Sequence, residues 1–521
     1  MASQRTNEVR KGIVEAGDAL LNTLSTSYGP KGLDKMLRQG KETTITNDGA
    51  TIMKFFKTHP IHNVLSSVSH AQDTNCGDGT TSVVLLACSM LRQLHKESRN
   101  KQNFLKMDQA LEEAKKKALD YIDGIKIEAS DIMSVALTTL NSKVAAKSVK
   151  LAQAALEALN SCEMRDVKIM KKIGGESTDV EMHKGLIIPI RNELKCSTES
   201  LEKNLPVEKN ILICQFCISA PKTNMDSKID IKNYQQMEQF VREERDYVIK
   251  IIKKIKETKA DLLVIQKSLL RESCSEIALH FFRKLGIAVI NEVERADVDL
   301  LCRKLNLRAV SDVSLLRNNG CADKSFFIKK VSMQLDGEDF STSLGTSKIS
   351  KSFLKIFCDN SATISISGVD ELMVEETERS LIDVLSVINV LKRDKFIVPG
   401  GCAVETGIGT ILGNSPNMLM KEISTAFIMM AHFLSSNAGL YSVEVVNKLV
   451  KNLKNNPFLG ISMRNSGKGT NDSVSISDMI NEDNVIQPAE VSKSAILLAI
   501  ETVETLLKVD DILPSKSLQN Q

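Results

Sequence analysis

The clearest structural pattern in the chain lies in residues 260–313, which read "ADLLVIQKSLLRESCSEIALHFFRKLGIAVINEVERADVDLLCRKLNLRAVSDV". The short apolar runs "ADLLVIQ", "IAVINEV" and "LRAVSDV" are typical of buried strands. Between them, "CSEIALHFFRKLG" and "ADVDLLCRKLN" have helical periodicity, and a glycine closes the first of these helices. Alternation of this kind predicts a parallel α/β sheet.

The segments on both sides of this block are mainly helical. Residues 8–24, the apolar run after Thr80 and residues 109–125 predict helices before it, and residues 373–394 predict a long helix after it. We therefore expect the two ends of the chain to share one domain into which the α/β block is inserted. Residues 233–258 predict a helix with Met237, Val241, Val248, Ile252 and Ile255 on one face, packed on the sheet.

Composition limits the class of protein. The 521 residues are 42% hydrophobic, enough for about three domains of ~150 residues each. Basic and acidic residues nearly balance at 68 and 65, which does not indicate a nucleic-acid binder. The charged amino terminus and the lack of long apolar runs predict a soluble, intracellular protein without a membrane span.

Cysteine spacing argues against disulfides and against a zinc site. The 11 cysteines are scattered along the chain, which is not the pattern of a disulfide framework. Cys214 and Cys217 form the one C-x-x-C pair, within the apolar run "ILICQFCIS". Two buried strand thiols explain this pair better than half of a zinc site.

The most distinctive local motif is "TNCGDGTTSVV" at residues 74–84, in which Asp78 lies between two glycines before an apolar helix. A helix N-terminus has free N–H groups and the positive end of the helix dipole, so it favours phosphate. An acidic residue there needs a cation between itself and the phosphate. The sequence lacks both G-x-x-x-x-G-K-[ST] and G-x-G-x-x-G, so a phosphate site here would depend on Mg²⁺ bound to Asp78.

Three aspartates are candidates for site residues, although each also has an ordinary structural explanation. Asp48 follows a strand end, and the neighbouring Asn47 and Gly49 favour a tight hairpin turn. Asp78 suits a helix cap, and Asp383 suits an exposed charge on an amphipathic helix. Taken singly, the structural explanation is favoured for each of them.

Several longer segments together resemble the group II chaperonins, over essentially the whole chain. These segments are "SYGPKGLDKML", "TITNDGATIM", "AQDTNCGDGTTSVV", "LNSK", "EETERSLIDVL", "VPGGCAVE" and "VIQPAEV", in the order and at the separations typical of that family. Further segments, such as "QFCISAPKT" and "SEIALHFFRKLGIAVI", resemble one subunit type of the eukaryotic cytosolic member more closely than the others.

The resemblance implies a multi-domain α/β chaperonin fold. A mostly helical equatorial domain would comprise residues 1–130 and 396–521, and a small intermediate hinge domain residues 131–190 and 361–395. The inserted α/β apical domain, residues 191–360, would bind substrate and carry a helical lid protrusion near "PKTNMDSKIDIKNYQQ".

The resemblance also implies activity, cofactors and partners. It implies a cytoplasmic ATPase that uses ATP/ADP and Mg²⁺ to fold proteins in a double ring of eight subunits per ring. The implied partners are seven paralogous chaperonin subunits, non-native clients such as actin and tubulin, and prefoldin, with no nucleic acid and no membrane.

Roles for individual residues follow from the same resemblance. Asp78 would bind the metal, and Asp48 and Asp383 would orient or deprotonate the attacking water, a task that suits carboxylates. Lys143 would sense the γ-phosphate. The remaining nucleotide contacts would come from Gly29, Pro30, Gly49, Gly77, Gly79, Thr80, Thr81, Gly400, Gly401 and, at the ribose, Gln487.

The chain departs from the family pattern in two places. Cys402 stands where the family usually has a third glycine, which predicts a narrower nucleoside pocket. Ile382 stands where a histidine is usual, a change expected to affect packing more than chemistry. For clients, Leu300, Arg303 and Lys304 are candidate contacts, with a buried packing role as the alternative for Leu300.

Two functions of other classes stay open. The chain could be a stand-alone ATP-dependent phosphotransferase, although the long inserted block argues against this. It could also be a structural ring member that binds nucleotide without hydrolysing it, as Cys402 allows. The intact Asp48, Asp78 and Asp383 argue against the second alternative.

Overall fold

The computed structural model describes most of the chain. The described residues are 2–39, 42–56, 59–95, 101–129, 131–143, 148–173, 180–190, 207–220, 233–269, 271–316, 327–340, 349–463 and 476–512. Most of the predicted lid protrusion, residues 221–232, lies outside these ranges.

The helices are α1 (Ala2–Ser25), α2 (Gly49–Met53), α3 (Pro60–Cys76), α4 (Thr80–His95), α5 (Lys101–Ile125), α6 (Ile132–Asn141), α7 (Ser148–Ser161), α8 (Tyr234–Glu257), α9 (Glu276–Leu285), α10 (Arg295–Leu305), α11 (Glu371–Asp394), α12 (Ala403–Gly413), α13 (Met418–Asn437), α14 (Ser442–Asn452) and α15 (Ala489–Leu507). The strands are β1 (Lys35–Gln39), β2 (Glu42–Thr46), β3 (Ile127–Glu128), β4 (Val167–Ile173), β5 (Val180–Lys184), β6 (Leu186–Pro189), β7 (Val207–Cys214), β8 (Leu262–Gln266), β9 (Ala288–Val293), β10 (Ile328–Phe340), β11 (Ile349–Ile356), β12 (Ala362–Gly368), β13 (Phe396–Pro399), β14 (Leu459–Ile461), β15 (Ile476–Asp478) and β16 (Ile486–Pro488).

The chain folds into two compact units. The terminal unit comprises Met1–Leu156 and Glu371–Gln521, and the middle unit comprises Glu157–Asp370. Both ends of the chain therefore lie in the same unit. The division into three domains at the boundaries given above stays a prediction. Among the described residues, no helix is both long enough and apolar enough to cross a membrane.

Helix α4 is the centre of the terminal unit. Residues 83–91 are buried on every side of the helix, and α4 contacts α1, α3, α13 and α15. A helix that is apolar all round is stable only when other elements surround it, which these neighbours do. The "GDGTT" loop begins this helix, so its position is set by the most buried element of the unit.

Small sheets at the surface of this core carry other predicted site residues. Strands β16, β13 and β3 form a three-stranded antiparallel sheet, in which Val398 pairs with Gln487. Gly400 follows β13 directly. Strands β1 and β2 form a separate antiparallel hairpin, after which Asp48 begins α2.

The middle unit contains a six-stranded mixed sheet in the order β6-β11-β10-β7-β8-β9. Strands β7, β8 and β9 are parallel, as the alternating pattern predicts, whereas β6, β11 and β10 pair antiparallel. A second sheet, β4-β12-β5, belongs to the same unit.

The prediction of a strand at "LRAVSDV" is wrong. Val310 forms a single parallel bridge with Cys214, and Val313–Leu316 is a 3₁₀ turn. The pairing of β10 with β7 ends at Leu212, so Val310 occupies only the short stretch of β7 that β10 leaves unpaired. Of the predicted strand thiols, Cys214 is buried in β7, whereas Cys217 lies beyond the strand and is half-buried.

The predicted packing face of α8 is only partly correct. Val248, Ile252 and Ile255 are buried, in the half of the helix that contacts α9. Met237 and Val241 are 49% and 52% exposed. The apolar periodicity therefore continues along α8 beyond the part of the helix that contacts the core of its unit.

Helix α10 carries the candidate client contacts, and it packs against and bonds to other residues of the middle unit. Leu300 is 8% exposed, so the alternative of a packing role is correct for this residue. Lys304 forms an ion pair with Asp166 at 2.5 Å and donates a hydrogen bond to the Asn360 carbonyl at 2.6 Å. Arg303 keeps a 57% exposed side chain, so it is the candidate most able to contact a client.

Candidate functional site

A cavity of about 670 Å³ lies within the terminal unit. The predicted site residues that line it are Gly29, Pro30, Asp48, Asp78, Gly79, Thr80, Thr81, Lys143, Gly400, Gly401 and Gln487. The other three, Gly49, Gly77 and Asp383, are not part of the lining. Gly49 packs against Thr81 and Asp383 pairs with Lys143, both of which line the cavity, whereas Gly77 packs against α11. Segments far apart in the sequence therefore converge on one space that suits a small molecule.

The "GDGTT" loop is held by glycine conformation and by a buried amide. Gly77 ends α3 with φ 73°, and Gly79 has φ 79°, both in the left-handed region that favours glycine. The Gln72 side-chain amide donates to the Asp78 carbonyl at 2.9 Å, and the Gly79 N–H donates to Asp78 Oδ1 at 2.7 Å. Asp78 therefore keeps Oδ2 for another partner, at the start of α4.

Gly77 also allows two helices to approach each other. A Cβ atom at this position would lie 2.3 Å from the Ser386 Cβ atom of α11. Asp383 is one turn from Ser386 on the same helix. The glycine is therefore needed for the close packing that brings Asp383 near the loop, rather than for a direct contact with the cavity.

Asp48 is the N-cap of α2, so the expectation of a hairpin turn is wrong for this residue. Its carboxylate accepts hydrogen bonds from the Thr51 N–H at 2.9 Å, the Thr51 hydroxyl at 2.8 Å and the Thr80 hydroxyl at 3.1 Å. Burial opposes the charged form, but the Lys143 charge and these hydrogen bonds lower the pKa of Asp48. The residue is thus an anion at neutral pH, linked to the first turn of α4.

Asp383 is buried and forms an ion pair with Lys143, so it is not an exposed helix charge. Burial raises the pKa of Asp383 to about 7; Asp48 and Asp78 act in the same direction, and Lys143 opposes them. Burial disfavours the charged form of Lys143 as well, but the carboxylates of Asp383, Asp48 and Asp78 raise its pKa. The Lys143 ammonium group therefore lies in a strongly acidic environment that includes these three carboxyl groups.

The opposite wall of the cavity follows β13. The Gly400 N–H donates to the Val485 carbonyl at 2.9 Å, and a Cβ atom on Gly400 would lie 2.9 Å from Val485 Cγ1. Gly401 has φ 61°, and its Cβ atom would lie 2.8 Å from Met479 Sδ. Close packing explains both glycines. Gln487 Nε2 donates to Ser492 Oγ at 2.7 Å, which fixes the amide at the rim.

Two further glycines allow close packing at the cavity. A Cβ atom on Gly49 would lie 2.5 Å from Thr81 Oγ1 and 2.8 Å from the Thr81 nitrogen. Gly29 has φ 86°, and its Cβ atom would lie 2.4 Å from Leu434 Cδ1. Gly49 therefore allows α2 to approach the start of α4, and Gly29 allows a turn against α13 next to Pro30.

Three residues of the cavity were not predicted from the sequence to act together. Tyr28, Cys402 and Glu405 line the same side, and the Tyr28 hydroxyl lies 3.4 Å from Cys402 Sγ. Tyr28 and Glu405 do lie within the segments "SYGPKG" and "VPGGCAVE". Their positions next to predicted glycines could therefore have indicated that both residues lie at the site. The contact between Tyr28 and Cys402 joins residues 374 positions apart, so only the folded structure reveals it.

The cavity has oxygen atoms that could act as ligands for Mg²⁺. Asp78 offers a carboxylate, and Thr80 and Thr81 lie beside it at the N-terminus of α4. Within the described ranges, no group of three or more histidine, cysteine, aspartate or glutamate side chains could hold a metal by itself. Mg²⁺ is commonly bound by one or two carboxylates together with substrate phosphates, so the residues present fit such an ion.

Comparison with known proteins shows the family to which the chain belongs. Residues 20–517 match the TCP-1/cpn60 chaperonin family. The chain is 41% identical to T-complex protein 1 subunit delta of Encephalitozoon cuniculi over 99% of this chain and 100% of the relative. It is 33% identical to the human protein of the same name over 98% of this chain and 94% of the relative. The resemblance to group II chaperonins, and to one subunit type among them, is confirmed.

Proposed function

The chain belongs to the TCP-1/cpn60 chaperonin family, and we propose that it acts as an ATP-hydrolysing subunit of a double-ring chaperonin that folds proteins. One observation carries this proposal. The cavity of the terminal unit combines a helix N-terminus, an acidic residue between two glycines, and a lysine paired with a buried aspartate. This combination suits a nucleoside triphosphate bound with a divalent cation.

The phosphates would lie at the start of α4. Gly79, Thr80 and Thr81 offer N–H and hydroxyl groups at the positive end of a helix whose dipole favours anions. Asp78 would hold Mg²⁺, which when bound neutralises phosphate charge and orients the transferred group. Gly400, Gly401 and Gln487 would border the nucleoside on the other wall.

Asp48 and Asp383 would prepare the attacking water. Asp48 is an anion fixed by four hydrogen bonds, from the Ala50 and Thr51 N–H groups and the Thr51 and Thr80 hydroxyls, so it can accept a hydrogen bond from water without reorganisation. Asp383 has a pKa of about 7, which suits a group that gains and loses a proton near neutral pH. Lys143 follows α6, and its ammonium group would sense the γ-phosphate by exchanging its carboxylate partners for phosphate oxygens.

The ring assembly and its movements extend the proposal. Seven paralogous subunits would complete rings of eight, and the binding of ATP would favour closure of a lid around non-native clients such as actin and tubulin. Prefoldin would be a further partner. The equatorial, intermediate and apical boundaries given above belong to the same proposal, and the cytoplasm is the proposed location.

A second candidate function is a ring subunit that binds nucleotide without turnover. Cys402 favours it, because a side chain at this position occupies the wall beside the predicted nucleoside site. The carboxyl groups of Asp48 and Asp383 favour hydrolysis, since negative charge beside a triphosphate opposes its binding, whereas carboxylates are the groups that orient an attacking water. We therefore favour the hydrolysing subunit.

The test is the particle recovered through a tag on this chain. Two rings of eight chains near 57.5 kDa give a particle on the order of a megadalton. We expect that mass, seven related partners, and ATP hydrolysis that falls when the Asp48 or Asp383 carboxyl is removed from this subunit. A monomer that still hydrolyses ATP would instead indicate the phosphotransferase. A particle whose rate of ATP hydrolysis is the same with and without these carboxyl groups would indicate the non-hydrolysing subunit.

A further inference from the structure

The residue after the glycine pair on the cavity wall has an unusual backbone conformation. Cys402 has φ 57° and ψ 25°, in the left-handed region that residues with a Cβ atom rarely adopt. Gly400 and Gly401 are required by packing, because their Cβ atoms would meet Val485 and Met479. Position 402 differs from both, since the backbone favours glycine there but the packing accepts a side chain.

The thiol of Cys402 contacts the hydroxyl of Tyr28, and hydrogen bonds fix the backbone of Tyr28. Cys402 is 6% exposed, and its Sγ atom lies 3.4 Å from the Tyr28 hydroxyl. The Asn437 side chain donates hydrogen bonds to the Ser25 and Tyr28 carbonyls at 2.7 and 2.8 Å, which fixes the backbone of the tyrosine. A ligand therefore cannot displace this side of the cavity without breaking several contacts.

The chemistry of this side suits the uncharged part of a ligand. Burial raises the pKa values of the Cys402 thiol and the Tyr28 hydroxyl, so both groups are neutral. The carboxyl group of Glu405, in the first turn of α12, lies close enough to raise both pKa values further. An acidic group at this point disfavours phosphate, whereas the N-terminus of α4, with Thr80 and Thr81, favours it.

We propose that Cys402 and Tyr28 form a wall that limits how deeply the nucleoside part of ATP enters the cavity, and that this wall lowers the affinity of the subunit for ATP. The inference rests on the proposed function, because it assumes that the cavity binds a nucleoside triphosphate. A glycine at position 402 would remove the side chain and could adopt the same left-handed backbone without strain, so the nucleoside would approach β13 more closely.

The test compares ATP affinity in this subunit within the assembled particle. Particles are recovered through a tag on the wild-type chain or on a variant, labelled with 2-azido-ATP under light, and challenged with increasing ATP. Labelling is read on this subunit alone, after the subunits have been separated. We expect Cys402→Gly to reduce the ATP concentration that displaces half of the label about tenfold, the effect typical of one small group in a pocket.

Two further variants make the result specific. Cys402→Ala, which shortens the side chain but keeps a Cβ atom, should give a smaller improvement, and it replaces the glycine variant if that chain does not assemble. Lys395→Gly is the matched control, because Lys395 also has a positive φ of 53° in the terminal unit but lies outside the cavity lining. It relieves the same backbone strain and should leave the ATP affinity unchanged.

The outcomes separate the inference from the proposed function. If the wild-type subunit is labelled and ATP displaces the label, but Cys402→Gly binds ATP no more tightly, the wall is not what limits affinity. An equal gain in Lys395→Gly would also overturn the inference, because backbone strain alone would then explain it. If this subunit is not labelled in the wild type or in any variant, or if ATP does not reduce the labelling, the proposal that the cavity binds nucleotide is itself refuted.

Discussion

The pKa of Asp383 leads to a specific prediction for the variant Asp383→Asn. Burial raises that pKa to about 7, reinforced by Asp48 and Asp78 and opposed by Lys143. Asparagine has nearly the same shape and can still contact Lys143, but it cannot ionise. The substitution therefore tests proton acceptance more specifically than a truncation would.

The magnitude follows from the titration of one group. A carboxyl that accepts a proton or a hydrogen bond from water acts in its ionised form, so activity rises as the pH rises through the pKa. At pH 6, one unit below a pKa of about 7, roughly one tenth of the groups are ionised, so the share of kcat/KM from this subunit should be about tenfold below its plateau. In Asp383→Asn the turnover of this subunit should fall about 10²- to 10⁴-fold, so the particles should lose nearly all of this pH-dependent share.

The assay is phosphate release by whole particles between pH 5.5 and 8.5. The share of this subunit is the difference between particles that carry the wild-type chain and those that carry Asp383→Asn. Ile382→Ala is the matched control, because the neighbouring Ile382 is 42% exposed and lies outside the cavity lining. A difference that does not change with pH, or a rate in Asp383→Asn equal to that of the control, would refute the assigned role.

Three shorter predictions test other parts of the terminal unit. Asp78→Ala should raise the Mg²⁺ concentration needed for half-maximal ATP binding at least about tenfold, and an unchanged Mg²⁺ dependence would show that the metal is held elsewhere. Gly49→Ala places a Cβ atom 2.5 Å from Thr81 Oγ1 and should cost about 1–3 kcal/mol of unfolding free energy, measured by denaturant unfolding of the full chain; no loss would mean that α2 can move aside. Phe427→Ala removes a fully buried ring from the core and should cost about 3–5 kcal/mol in the same assay, and a cost below about 1 kcal/mol would contradict close packing around α13.

Local sequence patterns predicted only those elements of the middle unit whose formation depends on residues close together in the sequence. The runs that form β8 and β9, and the helices α9 and α10, could be found because apolar periodicity and a closing glycine act within a few residues. The antiparallel half of the sheet was not predicted, since the pairing of β10 with β7 joins segments more than 110 positions apart. The error at "LRAVSDV" has the same cause, because an apolar run becomes a strand only where a partner edge is free.

The features of the site likewise fall into those that local sequence indicates and those that depend on long-range contacts. The glycines around Asp78 could be recognised because the turn between two helices needs a left-handed backbone, which Gly77 has at the end of α3 and Gly79 has before α4. The partner of Asp383 could not be deduced from periodicity, which indicated only an exposed helix charge. That partner, Lys143, lies 240 positions away; the resemblance to a family indicated Lys143 as a site residue, but not its ion pair with Asp383.

The charges around the cavity give a reason why a cation should accompany the nucleotide. Lys143 is the cation that faces Asp48, Asp78 and Asp383, and all three carboxylates raise its pKa. If all four groups are ionised, this cluster alone carries a net charge of about −2, and the triphosphate would add further negative charge to a partly buried space. Coulomb repulsion of this kind is strong at a reduced effective dielectric constant, and the α4 dipole offers only about half a positive charge. A divalent cation at Asp78 adds two positive charges at the point where the cluster meets the helix N-terminus. ATP without Mg²⁺ should therefore bind far more weakly than the magnesium complex, and Asp78→Asn, which removes one negative charge, should narrow that difference.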